Sequence, residues 1–180
     1  MKILIRADAS LQIGSGHIMR CLTLAHELSR RGYEVRFICR ALPGHLGETI
    51  ERAGFGLVLL PVPQQTGRLP ESESIELLHS KNEAQAARCV QLAHAHWLPV
   101  SQAQDAADCL PPIRAFAPDW IICDHYALSA EWELAAKAAA GCRLMAIDDL
   151  ADRSHAADLL LDQNLDHTPA DYAGLVLPAC

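Results

Sequence analysis

Residues 2–21, KILIRADASLQIGSGHIMRC, decide the fold. Lys2 to Asp8 is a short apolar run ended by a charge, long enough for a strand and too short for a helix. A loop follows over Ala9 to Gly16. His17 to Arg31 then places Ile18, Cys21, Leu22, Ala25 and Leu28 at intervals of three and four, the spacing of a half-buried helix, and Gly32 stops it. Glu34 to Arg40 reads as a second strand, Pro43 to Arg52 as a short helix opened by proline, and Gly56 to Leu60 as a third strand. Three strands joined by two helices make a βαβαβ unit, which requires a parallel sheet with right-handed crossovers.

The pattern continues downstream. Residues 61–80 are loop-like, with Pro61, Pro63, Gly67 and Pro70. Asn82 to His96 and Ser101 to Leu110 read as helices, the second capped by Ser101 and ended by Pro111-Pro112. Asp119 to Cys123 is a fourth strand. Ser129 to Ala140 is a helix capped by Ser129 and ended by Gly141. Cys142 to Ile147 and Asp158 to Leu161 are the fifth and sixth strands, and a short helix starts after Pro169. The fold class is α/β: a Rossmann-like parallel sheet flanked by helices.

Composition bounds the function. The 180 residues are 51% hydrophobic and 21% charged, as in globular domains. No stretch approaches the ~20 apolar residues of a membrane span, and Arg6 interrupts any leader-like apolar region. The net charge is −7; residues 1–90 hold eleven basic and nine acidic side chains, residues 91–180 four and thirteen. That balance argues against nucleic acid, which is bound through a surplus of Lys and Arg. A phosphorylated small molecule needs only a few local donors, and the first half is the place for them. Seven cysteines without a CxxC point to neither a disulfide framework nor a zinc ribbon, and to a reducing cytoplasm.

Ligands of open parallel sheets bind beyond the carboxyl ends of the strands. Asp8, Ser10, Gly14, Ser15, Gly16 and His17 follow the first strand. Asp124, His125 and Tyr126 follow the fourth, Asp148 and Asp149 the fifth, and Asp162, Gln163 and Asn164 the sixth. Four strand ends thus deliver polar side chains to one rim. Gly14 and Gly16 let backbone approach a ligand. Met19 occupies the third glycine position of the dinucleotide fingerprint, and no Lys-Ser/Thr pair follows, so neither NAD nor ATP is implied. What remains is a histidine in the first turn of a helix. The positive helix end and Arg20 favour the neutral imidazole that a general base needs. His94 and His96, two residues apart, are poorly spaced for a metal. Asp148 and Asp149 are expected to cap a turn and to meet Arg153 rather than hold a cation. Asp124-His125-Tyr126 resembles a relay, with no serine or cysteine nucleophile to serve. Either Asp8 or Asp124 could orient His17.

Four blocks carry a resemblance: IRADASLQIGSGHIMRCLTLA (5–25), HWLPVSQAQDA (96–106), ICDHYALSAEWE (122–133) and AIDDLADRSHAADLLLDQN (146–164). Together they resemble the amino-terminal half of the nucleotide-sugar hydrolases of pseudaminic acid biosynthesis, the PseG family. The resemblance implies the N-terminal domain of a GT-B-like pair, a UDP-sugar substrate, and release of UDP and free sugar by water attack at the anomeric carbon. It implies no cofactor and no metal. It places the catalytic histidine on His17 and substrate contacts at Asp8, Gly14, Gly16, Arg20 and Tyr126. The family continues into a C-terminal nucleotide-binding domain, so residues 1–180 are expected to lack that domain, to fold alone and to be nearly inactive alone. The residue types themselves also suit an inverting glycosyltransferase, or a non-catalytic sugar-nucleotide binding module.

Overall fold

Each strand is an apolar run of a few residues, and each connection is long enough for a crossover. A computed structural model of the chain describes residues 1–63, 92–178 and 180. In order, the elements are β1 (Lys2–Ala7), α1 (Gly16–Arg30), β2 (Glu34–Arg40), α2 (Gly47–Arg52), β3 (Gly56–Leu60), α3 (Gln102–Phe116), β4 (Trp120–Asp124), α4 (Ala130–Ala140), β5 (Arg143–Ile147) and β6 (Leu159–Leu161), with single 3₁₀ turns at Ala95–Trp97 and Pro169–Tyr172. The six described strands form one sheet, all parallel, in the order β3-β2-β1-β4-β5-β6. The order reverses between β1 and β4, the switch point at which ligands of doubly wound sheets sit.

Both faces of the sheet are covered, as a parallel sheet demands. Ile3 and Ile5 face one way, against Ile18, Cys21, Leu22 and Ala25 of α1. Leu4 faces the other way, into a core shared with Cys109, Ile113 and Phe116 of α3 and Trp132 and Ala136 of α4. Each fully buried large apolar side chain contributes about 1.5–3 kcal/mol. No described helix is long and apolar enough to cross a membrane.

Three expected elements differ. The helix expected from Pro43 begins only at Gly47, because His45 N–H closes a turn on Leu42 O at 2.9 Å and Gly44 takes φ +83° within it. Of the helix expected over 82–96, residues 82–91 lie outside the described set, and Ala95–Trp97 is one 3₁₀ turn. The helix expected to stop at Pro111 runs on to Phe116. Two prolines inside a helix remove two N–H donors, a cost of about 3 kcal/mol or more each. Burial of Ile113 and Phe116 in the core outweighs it, and Ala117 ends the helix in the left-handed region at φ 49°. The two expected serine caps diverge. Ser101 Oγ does accept Gln104 N–H at 3.1 Å. Ser129 stands at the N-cap of α4 without a side-chain cap, its hydroxyl turned to Gln102 Oε1 at 3.1 Å.

Candidate active site at the β1/β4 switch point

The loop after β1 is built to end in a helix with a bare positive end. Ser10 Oγ accepts the N–H groups of Gln12 and Ile13 at 3.2 and 2.9 Å, Ser10 pairs with Gly14 in a one-residue bridge, and Gly14 adopts φ +81°. Leu11 N–H reaches Pro43 O at 3.0 Å and ties the loop to the next connection. Helix α1 then starts without a side-chain cap from Ser15 and without an acid in its first turn. Its first amides have no intrahelical acceptor, and a Cβ added at Gly14 or Gly16 would meet no atom within 4 Å.

One face of α1 converges on a single carboxylate. His17, Arg20 and Cys21 lie three and four residues apart, hence on the same side of the helix. His17 Nδ1 is 2.6 Å from Asp124 Oδ1; Arg20 grips the same carboxylate through Nε and Nη2, each at 2.6 Å; the Cys21 thiol donates to Oδ2 at 3.4 Å. Asp124 is the last residue of β4, which the sheet register sets beside Ala7 of β1. Of the two candidates for orienting His17, the geometry selects Asp124. Burial alone would raise its carboxyl; hydrogen bonds from Arg20 and His17 overcome that and hold it below the usual carboxylate range. Burial pushes the Cys21 thiol far up, so it stays protonated and donates.

Aromatic rings fix the imidazole from the other side. Tyr126 meets His17 edge-on with ring centroids 4.6 Å apart, and Trp97 does so at 5.9 Å. Trp97 stacks on Tyr126 at 5.4 Å, and His94 packs against both. The Tyr126 hydroxyl donates to Asp149, which also accepts Arg20 Nη1 at 3.0 Å. Burial, then the Asp149 carboxylate, raise the Tyr126 phenol well above its ordinary value. His17 Nε2 makes no hydrogen bond to any described residue, so one ring nitrogen is anchored and the other is left for chemistry.

Asp8 stands behind this site rather than in it. It is fully buried; Arg6 forks onto it at 2.6 and 2.8 Å, Arg40 N–H donates at 2.7 Å, and His125 Nε2 lies 3.2 Å away. Arg6 and Arg40 both continue to Asp105 on α3, which also accepts the Trp132 indole at 3.0 Å. This enclosed network clamps the ends of β1 and β2 to α3, and it leaves Asp8 no free oxygen for a substrate. The two acids after β5 part ways. Asp148 pairs with Arg153 at 2.6 Å and caps Ala151 N–H at 3.0 Å, as expected, whereas Asp149 joins the His17 site. The end of β6 is tied off: Asp162 accepts Tyr172 and His167, while Asn164 Nδ2 donates to Asp149 O at 2.9 Å.

No group of three or more metal-ligating side chains occurs among the described residues. Trp97 also walls a cavity of about 230 Å³ together with Leu11, Leu42 and Pro43, with no Asp, Glu, Lys or Arg among its described lining residues. A larger cavity of about 560 Å³ lies beside Gln102, Ser129 and Arg153, and neither His17 nor Asp124 lines it. Sequence reasoning missed Trp97, His94 and the role of Asp149. Trp97 ends a single 3₁₀ turn, just past the helix expected over 82–96, where no periodicity gives it away; Asp149 was visible as a strand-end acid but not as the partner of Arg20.

Comparison with known proteins bears out the resemblance. Over 181 aligned residues, spanning 100% of the chain, it is 29% identical to the UDP-2,4-diacetamido-2,4,6-trideoxy-beta-L-altropyranose hydrolase of Campylobacter jejuni, and the match takes in 48% of that relative. The chain thus spans about half the length of the curated relative it matches. No protein-family profile matches the chain. Among solved structures, the calicheamicin glycosyltransferase CalG4 aligns with 96% of the chain and 36% of its own length at a TM-score of 0.47 and 17% identity. Arabidopsis thaliana UGT89C1, complexed with UDP-L-rhamnose, aligns with 82% of the chain and 36% of its own length at 0.44 and 14%.

Proposed function

We propose that this chain is the catalytic-histidine domain of a nucleotide-sugar hydrolase, which releases UDP from a UDP-linked 2,4-diacetamido-2,4,6-trideoxy sugar in pseudaminic acid biosynthesis. The observation that carries the reading is the His17–Asp124 pair at 2.6 Å on the switch-point rim. Asp124 accepts a hydrogen bond from Nδ1–H, which holds the proton there and leaves the lone pair on Nε2. Nε2 takes a proton from water as the water oxygen bonds to the anomeric carbon; the bond from that carbon to the UDP oxygen breaks, and the electron pair leaves with UDP. Displacement of this kind needs base and leaving group on opposite faces of the sugar. We assign the opposite wall, with most contacts to the nucleotide, to a second domain of the kind the longer relative has room for. The bare first turn of α1 and the glycines at 14 and 16 suit a phosphate or sugar oxygen brought close to backbone. The cavity beside Trp97 suits an uncharged acetamido group.

The test mixes the two-domain protein with the UDP-sugar and follows UDP and free sugar. Release of both without any acceptor, lost in His17→Ala, supports hydrolysis. Turnover that waits for an added sugar acceptor would make the enzyme a glycosyltransferase, and binding without turnover in a two-domain protein would make it a binding module.

A further inference from the structure

His17 Nδ1 faces two groups that call for opposite tautomers. Asp124 Oδ1, an acceptor, is 2.6 Å away; Arg20 Nη2, a donor, is 3.3 Å away. With its proton on Nδ1, His17 donates to Asp124 and keeps a lone pair on Nε2. With its proton on Nε2, Nδ1 would accept from Arg20, and Nε2 could take nothing from water. A bare ring nitrogen and a carboxylate oxygen repel at 2.6 Å, so the observed distances require a proton on Nδ1, and of the two neutral tautomers they select the first.

What keeps the guanidinium from swinging onto Nδ1 is its third partner. Nε and Nη2 hold Asp124, and Nη1 donates to Asp149 Oδ2 at 3.0 Å. A turn of the planar fork toward His17 breaks that last bond. Asp149 is itself fixed: the Tyr126 hydroxyl donates to its Oδ1, and Asn164 holds its backbone carbonyl. Its neighbour Asp148 is engaged with Arg153 and cannot substitute. We propose that Asp149 is a positioning residue: by holding Arg20 through Nη1 it keeps the proton of His17 on Nδ1 and the lone pair on Nε2. The consequence for turnover rests on the proposed role of His17 as base; the tautomer itself does not.

The experiment records long-range ¹H–¹⁵N correlations of the histidine side chains, with His17 assigned from a His17→Gln variant. In the parent protein, His17 is expected to show a protonated Nδ1 and a bare Nε2. In Asp149→Ala its signals are expected to move to the Nε2-protonated form, with kcat down about tenfold or more and KM within about threefold. Asp149→Asn, which keeps the shape and loses the charge, should show the same change to a smaller degree, and Asp149→Glu should restore both spectrum and kcat. A parent protein already protonated on Nε2, or an unchanged His17 spectrum in folded Asp149→Ala, would overturn the proposal. If the two-domain parent releases no UDP from any UDP-sugar, the hydrolase reading falls while the spectra still decide the role of Asp149.

Discussion

Asp124 Oδ1 lies 2.6 Å from His17 Nδ1, although 107 residues separate the two along the chain. The contact exists because β4 lies beside β1, which sets the last residue of β4 over the loop that opens α1. An imidazole held this way presents one fixed nitrogen to the rim.

Replacing His17 with alanine in the two-domain protein is expected to lower kcat by about 10²–10⁴-fold, the usual contribution of a general base, with a much smaller effect on KM. Steady-state UDP release checks it. A variant within about threefold of the parent in kcat would remove His17 from the chemistry.

Gly16→Ala separates fold from function. The new methyl meets no atom within 4 Å, and Gly16 begins a helix, where alanine is the better residue. Thermal stability should therefore hold or rise slightly. Affinity for the UDP-sugar should fall, because the methyl occupies the space in which ligand approaches backbone. Unfolding curves and equilibrium titration read the two effects, and unchanged affinity would show that no ligand comes to this turn.

Asp105→Asn tests the enclosed ion network. Asp105 receives both Arg6 and Arg40 at a site with 0% exposure. Loss of its charge leaves two buried guanidinium groups short of a counterion, at a cost of about 3–5 kcal/mol. Urea unfolding measures it; a loss under about 1 kcal/mol would mean that Asp8 and Asp108, which also accepts Arg40 Nη2 at 2.9 Å, compensate.

His155 predicts a loss of stability on the alkaline side. It is buried between Glu133, 2.8 Å from Nδ1, and Asp148, 3.7 Å from Nε2. Burial alone would lower its pKa, and the two carboxylates together raise it above the ordinary value. A raised folded pKa contributes stability that is whole below the unfolded value, about 6.5, and is lost as pH climbs through the folded value. The urea midpoint of the parent should thus decline from about pH 6.5 upward, with a flatter course in His155→Gln. Equal slopes in the two proteins would show that the imidazolium is not held.

Much of this was legible in the chain. Glu34–Arg40 and Gly56–Leu60 coincide with the strands read from apolar runs, and the glycines at 32 and 141 end helices α1 and α4, because local sterics and hydrophobic period act over a few residues. Helix α3 was less legible: its prolines are local stop signals, and only packing of Ile113 and Phe116 carries the helix past them.

The site divides along the same line. His17 stood out by position, directly after Gly14-Ser15-Gly16 at the start of a helix, and the strand-end rule marked Asp124, Tyr126 and Asp149 as its neighbours in general terms. Which carboxylate meets His17, and which is walled in, depends on strand order and side-chain direction. Asp8 directly follows β1 and Asp124 ends the adjacent parallel β4, yet Asp8 is enclosed with Arg6, Arg40 and His125, while Asp124 meets α1. No local pattern encodes that difference. It arises where β1, β4 and α1 pack, because a buried carboxylate must settle against whichever cations the assembled sheet brings within hydrogen-bond reach.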